Sequence, residues 1–170
     1  MTNNQIDIFI RRHGGVNVNF YVDNISKNFA AYTELIGINK QTNKPIYVIV
    51  LERKIFRNKK SPISFLEALL LHELGHIKCN HFHRKLADST AEYEAQSWAI
   101  TKAIKLKRFN IVCFLVQIYL SWMNLSKNKK RLKYYYNAYR MFYKKIGKDN
   151  INNWKIYFDL HWKFKTERIK

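Results

Sequence analysis

Two histidines one helical turn apart, with a glutamate between them, constrain this chain more than any other feature: His72-Glu73-Leu74-Gly75-His76. Positions i and i+4 of an α-helix share a face, so both imidazoles reach one metal ion at the roughly 2.0–2.1 Å of a Zn–N bond. Glu73 then sits beside them as general base. The flanking residues argue for a helix independently of the motif. Ser61-Pro62 reads as an N-cap followed by proline at the first helical position, where a missing N–H costs nothing. Ser64 and Glu67 have capping-box spacing. Phe65, Leu66, Leu69, Leu70, Leu74 and Ile77 recur at helical intervals and leave the His72/Glu73/His76 edge to face a cleft. Gly75 breaks the pattern. Glycine inside a helix costs about 1 kcal/mol relative to alanine, so it predicts close approach of another backbone or of substrate.

A catalytic zinc takes three protein ligands and keeps one position open for water. The third is expected in Ala91-Glu92-Tyr93-Glu94-Ala95-Gln96-Ser97-Trp98-Ala99, a second helix in which Ser89 and Glu92 have capping-box spacing. Glu92 and Gln96 share one of its faces. The carboxylate suits a ligand, and the amide suits a hydrogen bond to a ligating imidazole.

Together the two segments resemble the small gluzincin metallopeptidases, most closely the ImmA/IrrE-type family of phage and mobile-element regulators. Members typically read His-Glu-Leu-Gly-His and, downstream, Glu-x-Glu-Ala-Asn/Asp-x-Phe-Ala; HtpX-type membrane peptidases share a similar second element. Here Gln96 stands in place of Asn or Asp, and Trp98 in place of Phe. The similarity covers roughly residues 30–99. It implies a Zn2+ site of His72, His76 and Glu92, with Glu94 as the alternative third ligand. Glu73 would be catalytic, and the substrate a protein or peptide such as a DNA-bound repressor. An uncharged amide raises ligand basicity less than a carboxylate does, so Gln96 predicts weaker metal affinity than in relatives.

Other metal-capable residues fit less well. Cys79 as a fourth ligand would close the site to water, and cysteine is often a small buried hydrophobe. His81 and His83 are expected as solvated loop residues, with oxyanion stabilisation or metal binding as the rival role. His13 and His161 carry no motif context.

Before the helix, Ile6, Ile8 and Ile10 alternate, His13-Gly14-Gly15 interrupts, and Val16, Val18 and Phe20 alternate again, which predicts a hairpin. Residues 29–35 and 45–51 read as two more strands joined by the polar turn 39–44. A peptide substrate could add to an edge strand there, or the sheet could simply buttress the helix. The expected fold is α+β: a small N-terminal sheet on the active-site helix within residues 1–100, then a mostly helical, basic half at 101–170 packed on it as one unit. The chain of 170 residues, 47% of them hydrophobic, is enough for such a core. No secretory signal is visible, and two cysteines make no disulfide framework, so a cytoplasmic setting is expected.

Residues 101–170 hold 18 Lys/Arg against 3 Asp/Glu and carry most of the +19 net charge. Such asymmetry points to an anionic partner: nucleic acid, membrane or acidic protein. The uncharged run 109–126 is near the minimum length for a membrane span, but Asn110, Gln117, Ser121 and Asn124 fall on one stripe, so a core helix is expected instead. Residues 129–136 and 154–165 interleave cations with aromatics, as a nucleic-acid surface does. Leu132, Tyr136, Tyr139, Tyr143 and Ile146 equally fit the buried face of a helix. The functions left open are a zinc endopeptidase, a nucleic-acid-binding or toxin-like interaction protein with a vestigial motif, and a membrane-associated peptidase.

Overall fold

A computed structural model describes residues 1–14, 17–25, 30–57, 62–108 and 110–115. Of the helix expected at 109–126, residues 110–115 are helical, while 116–126, the expected helix at 132–146, the aromatic-basic stretch 154–165 and His161 lie outside the described residues. All described residues belong to one compact unit, Met1–Tyr119. Among them no helix is long and apolar enough to cross a membrane.

The architecture is α+β. Helix α1 (Asn3–His13) precedes strands β1 (Val18–Asp23), β2 (Ala31–Asn39) and β3 (Lys44–Glu52). Helices α2 (Arg53–Arg57), α3 (Ile63–Lys78) and α4 (Asp88–Lys105) follow, with a 3-10 turn, His81–His83, between the last two. The sheet order is β1-β3-β2, β1 parallel and β2 antiparallel to β3. Tyr47 to Leu51 of the central strand are all buried, as a strand with a neighbour on each side and helices over it requires. The β2–β3 turn is closed by Asn39, whose Oδ1 accepts from Gln41 N at 2.9 Å and Thr42 N at 3.1 Å, and by Asn43 at φ 51°. Between Leu35 and Gly37 the register slips, so Ile36 is the extra residue of a bulge.

The N-terminal hairpin does not form. Ile6 and Ile10 are fully buried and Ile8 is half exposed because the segment is helix α1, where i and i+4 share a face. The local determinant is Thr2: its hydroxyl accepts from Gln5 N at 3.3 Å while the Gln5 side chain accepts from Thr2 N at 2.8 Å, a complete capping box.

Helix α3 begins at Ile63 with Pro62 as N-cap and no side-chain cap, so proline sits one position earlier than expected. Ser61 lies outside the described residues. Ser64 and Glu67 form no capping box; Ser64 Oγ accepts from Asn110, and the Glu67 carboxylate accepts from Arg108. Helix α4 starts at Asp88 behind Ala87, one residue before the Ser89 at which the sequence placed its start.

Leu66 through Gly75 are all buried, so α3 is the central helix of the unit rather than one with a free polar edge. It packs on α1, β2, β3 and α4. On α4 the facing residues Ala95, Ala99 and Ala103 are fully buried and small. They let the two helix backbones meet at Gly75, where an added Cβ would lie 2.8 Å from Ala95 Cα. The close approach predicted from Gly75 is therefore to another backbone.

Candidate metal centre

Helices α3 and α4 bring together the side chains that the motif separates by twenty residues. His72 Nε2 lies 3.0 Å from Glu92 Oε2, His76 Nε2 lies 3.6 Å from Glu92 Oε1, and the two Nε2 atoms are 3.2 Å apart. One ligand atom from each of His72, His76 and Glu92 falls within 4.8 Å of the others, the spread of a metal-binding group. Glu94 is elsewhere: its carboxylate takes the Arg84 guanidinium at 2.6 and 3.2 Å and His81 Nε2 at 3.2 Å. Cys79 also belongs to that neighbouring cluster, its Sγ 3.7 Å from the Glu94 carbonyl.

Hydrogen bonds fix how His72 presents itself. Gln96 is fully buried on α4, and its Nε2 donates to the Leu115 carbonyl, so its Oε1 faces His72 Nδ1 at 2.7 Å. An amide oxygen only accepts, so Nδ1 carries a proton, and when the ring is neutral Nε2 turns an electron pair toward His76 and Glu92. Two imidazoles and a carboxylate thus aim electron pairs at one region, an arrangement that a cation, proton or metal ion, stabilises. Nitrogen and carboxylate donors in this number suit Zn2+.

With no ion bound, a proton on His72 takes the place of one in the electrostatics of the cluster. Burial and the charge of His72 press His76 down to about 4, so its ring is neutral as a ligand must be. Burial alone would raise Glu92, but the hydrogen bond and charge of His72 outweigh it and hold the carboxylate below its ordinary range. For His72 burial pulls the other way from Glu92, and the carboxylate prevails, raising it.

Glu73 projects from the same helix toward β2. It is 5% exposed, and burial raises its pKa, opposed by the His72 charge and by a 2.8 Å hydrogen bond from Thr33 Oγ1 to Oε2. Thr33 is a contact that sequence reasoning missed; it stands forty residues away in β2 and carries no motif. The same holds for His81, expected in solvent with His83. His83 is exposed, but the His81 side chain is only 6% exposed and its Nδ1 lies 2.9 Å from His76 Nδ1. His13 packs its ring against Phe9 at 4.7 Å and belongs to neither cluster.

Compared with family models, curated proteins and solved structures, the chain matches none, so what the site does has to be argued from its own geometry.

Proposed function

We propose that the chain is a zinc-dependent endopeptidase of gluzincin type. The observation that carries this is the convergence of His72, His76 and Glu92 beside a buried glutamate, Glu73, on the same helix. His72, His76 and Glu92 would hold the ion, which when bound supplies Lewis acidity for a peptide carbonyl and acidifies water. Glu73 takes the proton of the attacking water and returns it to the leaving amine. Its raised pKa brings it nearer the range in which a carboxylate does both.

Strand β2 lies at the sheet edge and packs against α3, so an extended peptide could add to it through main-chain hydrogen bonds. Exposed Ile36 and Ile38 on that strand would meet apolar side chains of the substrate. By the resemblance to ImmA/IrrE-type proteins, the substrate is a regulatory protein such as a DNA-bound repressor, and the basic residues of 101–170 would bring the peptidase to it. Salt-sensitive DNA affinity is the corresponding expectation.

The test is zinc content per chain, by elemental analysis on untagged protein, together with hydrolysis of unstructured polypeptide. About one zinc is expected in the wild type, from the three-ligand site; it is lost in His72→Ala and Glu92→Ala and still bound by Glu94→Ala. Glu73→Gln should keep the metal and lose turnover. Absence of zinc after reconstitution would refute the proposal.

A further inference from the structure

His76 faces the metal centre with one ring nitrogen and His81 with the other. We propose that His81, oriented by Glu94 and Arg84, is a positioning residue that holds His76 in the tautomer able to bind metal; this rests on the zinc site proposed above. The geometry begins at the end of α3. Asn80 takes up the left-handed conformation, φ 60° and ψ 38°, as asparagine does just past a helix end. The chain turns there, and His81 opens the 3-10 turn with its ring centroid 5.0 Å from that of His76.

Proton positions follow outward from Arg84. Its guanidinium grips both oxygens of Glu94, the two-pronged pairing that arginine makes with an ionised carboxylate. An ionised carboxylate can only accept, so His81 Nε2, 3.2 Å away, carries the hydrogen. With that hydrogen on Nε2, His81 offers an electron pair at Nδ1, and His76 Nδ1, 2.9 Å away, donates to it. His76 Nε2 is left with its electron pair toward His72 and Glu92. Gln96 does the same for His72 from the opposite side. Each ligating imidazole is thus held at its outer nitrogen by a buried acceptor.

Cys79, His81 and Glu94 also lie close enough together to hold a metal themselves. Their present bonds oppose it: Arg84 occupies both Glu94 oxygens, and burial together with the Glu94 charge raises the Cys79 thiol above its ordinary pKa, against thiolate formation.

Asparagine carries an oxygen where histidine carries Nδ1, whereas leucine has the same outline as asparagine and no acceptor. The experiment compares zinc affinity, by competition with a chromophoric chelator, in wild type, His81→Leu and His81→Asn. His81→Leu should bind zinc about 10–100-fold more weakly, and His81→Asn should recover most of the loss, which a purely structural role would not produce. Equal affinities in wild type and His81→Leu would overturn the proposal, as would a second zinc in wild type that disappears in Cys79→Ser. A second readout needs no metal: the 15N shifts of His76 in zinc-free wild type, above the histidine titration range. Protonation on Nδ1 supports the proposal and protonation on Nε2 overturns it. A wild type that binds no zinc but shows His76 protonated on Nδ1 would therefore refute the peptidase while sustaining the relay.

Discussion

Gly75→Ala tests the contact on which the metal centre is built. The new methyl would sit 2.8 Å from Ala95 Cα and 2.9 Å from Ala95 C, and it would also crowd the Ala95 carbonyl oxygen. Carbon atoms settle at about 3.5–4.0 Å, so the nearest carbon pair is short by about 0.7 Å. Every one of these atoms is α4 backbone, and none can swing aside. Helix propensity favours the substitution by about 1 kcal/mol, while overpacking costs about 1–3 kcal/mol and occasionally more. With backbone on both sides the upper end applies, for a net loss of about 2 kcal/mol, or a Tm lower by roughly 4–8 °C in a chain of this size. Glu92 stands three residues before Ala95 on α4, so pushing that helix away also displaces the carboxylate from His72 and His76. Zinc sites tolerate departures of only about 0.2 Å in their distances, and zinc affinity should fall at least about tenfold, the low end for a disturbed ligand shell. Thermal melts of metal-free protein and chelator competition measure the two effects separately. Gly37→Ala is the control, since nothing lies within 4 Å of its added methyl. A Gly75→Ala protein that gained stability as propensity alone predicts, with unchanged zinc affinity, would refute the close α3–α4 contact.

Thr33→Val removes the hydrogen bond that lowers the Glu73 pKa, so the acid limb of the activity profile should move to higher pH while zinc content stays the same. A limb that stays in place would take Thr33 out of this role. Glu67 behaves differently: burial raises its pKa, against the charge and hydrogen bond of Arg108. The folded state therefore binds its proton more tightly than the unfolded one, and stability falls as pH climbs from the ordinary carboxylate value through the raised one. Glu67→Gln should erase that slope in urea unfolding at a series of pH values, and an unchanged slope would contradict it. Gln96→Glu should lower the melting temperature at neutral pH and recover part of the loss in acid, where the introduced carboxyl is protonated; a more stable protein at neutral pH would refute the orientation assigned to Gln96.

Helix α3 was legible because its signals agreed: an apolar run of helical length, a motif that needs i,i+4 geometry, and a glycine whose cost had to be offset by a contact. The β2–β3 hairpin was legible from its polar turn. Helix α1 was not, since Ile6, Ile8 and Ile10 satisfy a period of two, and nothing in that alternation reveals that Ile8 faces solvent. The Thr2-x-x-Gln5 spacing carried the missing information. Yet the same kind of spacing misleads at Ser64–Glu67, where Asn110 and Arg108 engage both side chains from a later part of the chain. Thr33 and His81 were out of reach for a related reason. Which β2 residue meets Glu73 depends on how the sheet seats against α3, and His81 reaches His76 only because Asn80 turns the backbone left-handed.

Gln96 shows how packing decides a chemical choice. Considered as a substitute for Asn or Asp in the resembling families, it looks like a loss, because a neutral acceptor makes the imidazole less basic. Its second contact reverses that view. The amide is fully buried, and its Nε2 donates to the Leu115 carbonyl while its Oε1 accepts from His72. A carboxylate in the same place would set oxygen against oxygen at Leu115, and a buried polar group left unpaired costs about 1–3 kcal/mol, more when charged. It would also place a third anion near the buried Glu73, which already feels the charge of Glu92. With the helical segment 110–115 packed where it is, an amide is the side chain that can orient His72 and satisfy that carbonyl at once. The weaker pull on the imidazole is therefore a consequence of how this unit closes over its metal centre.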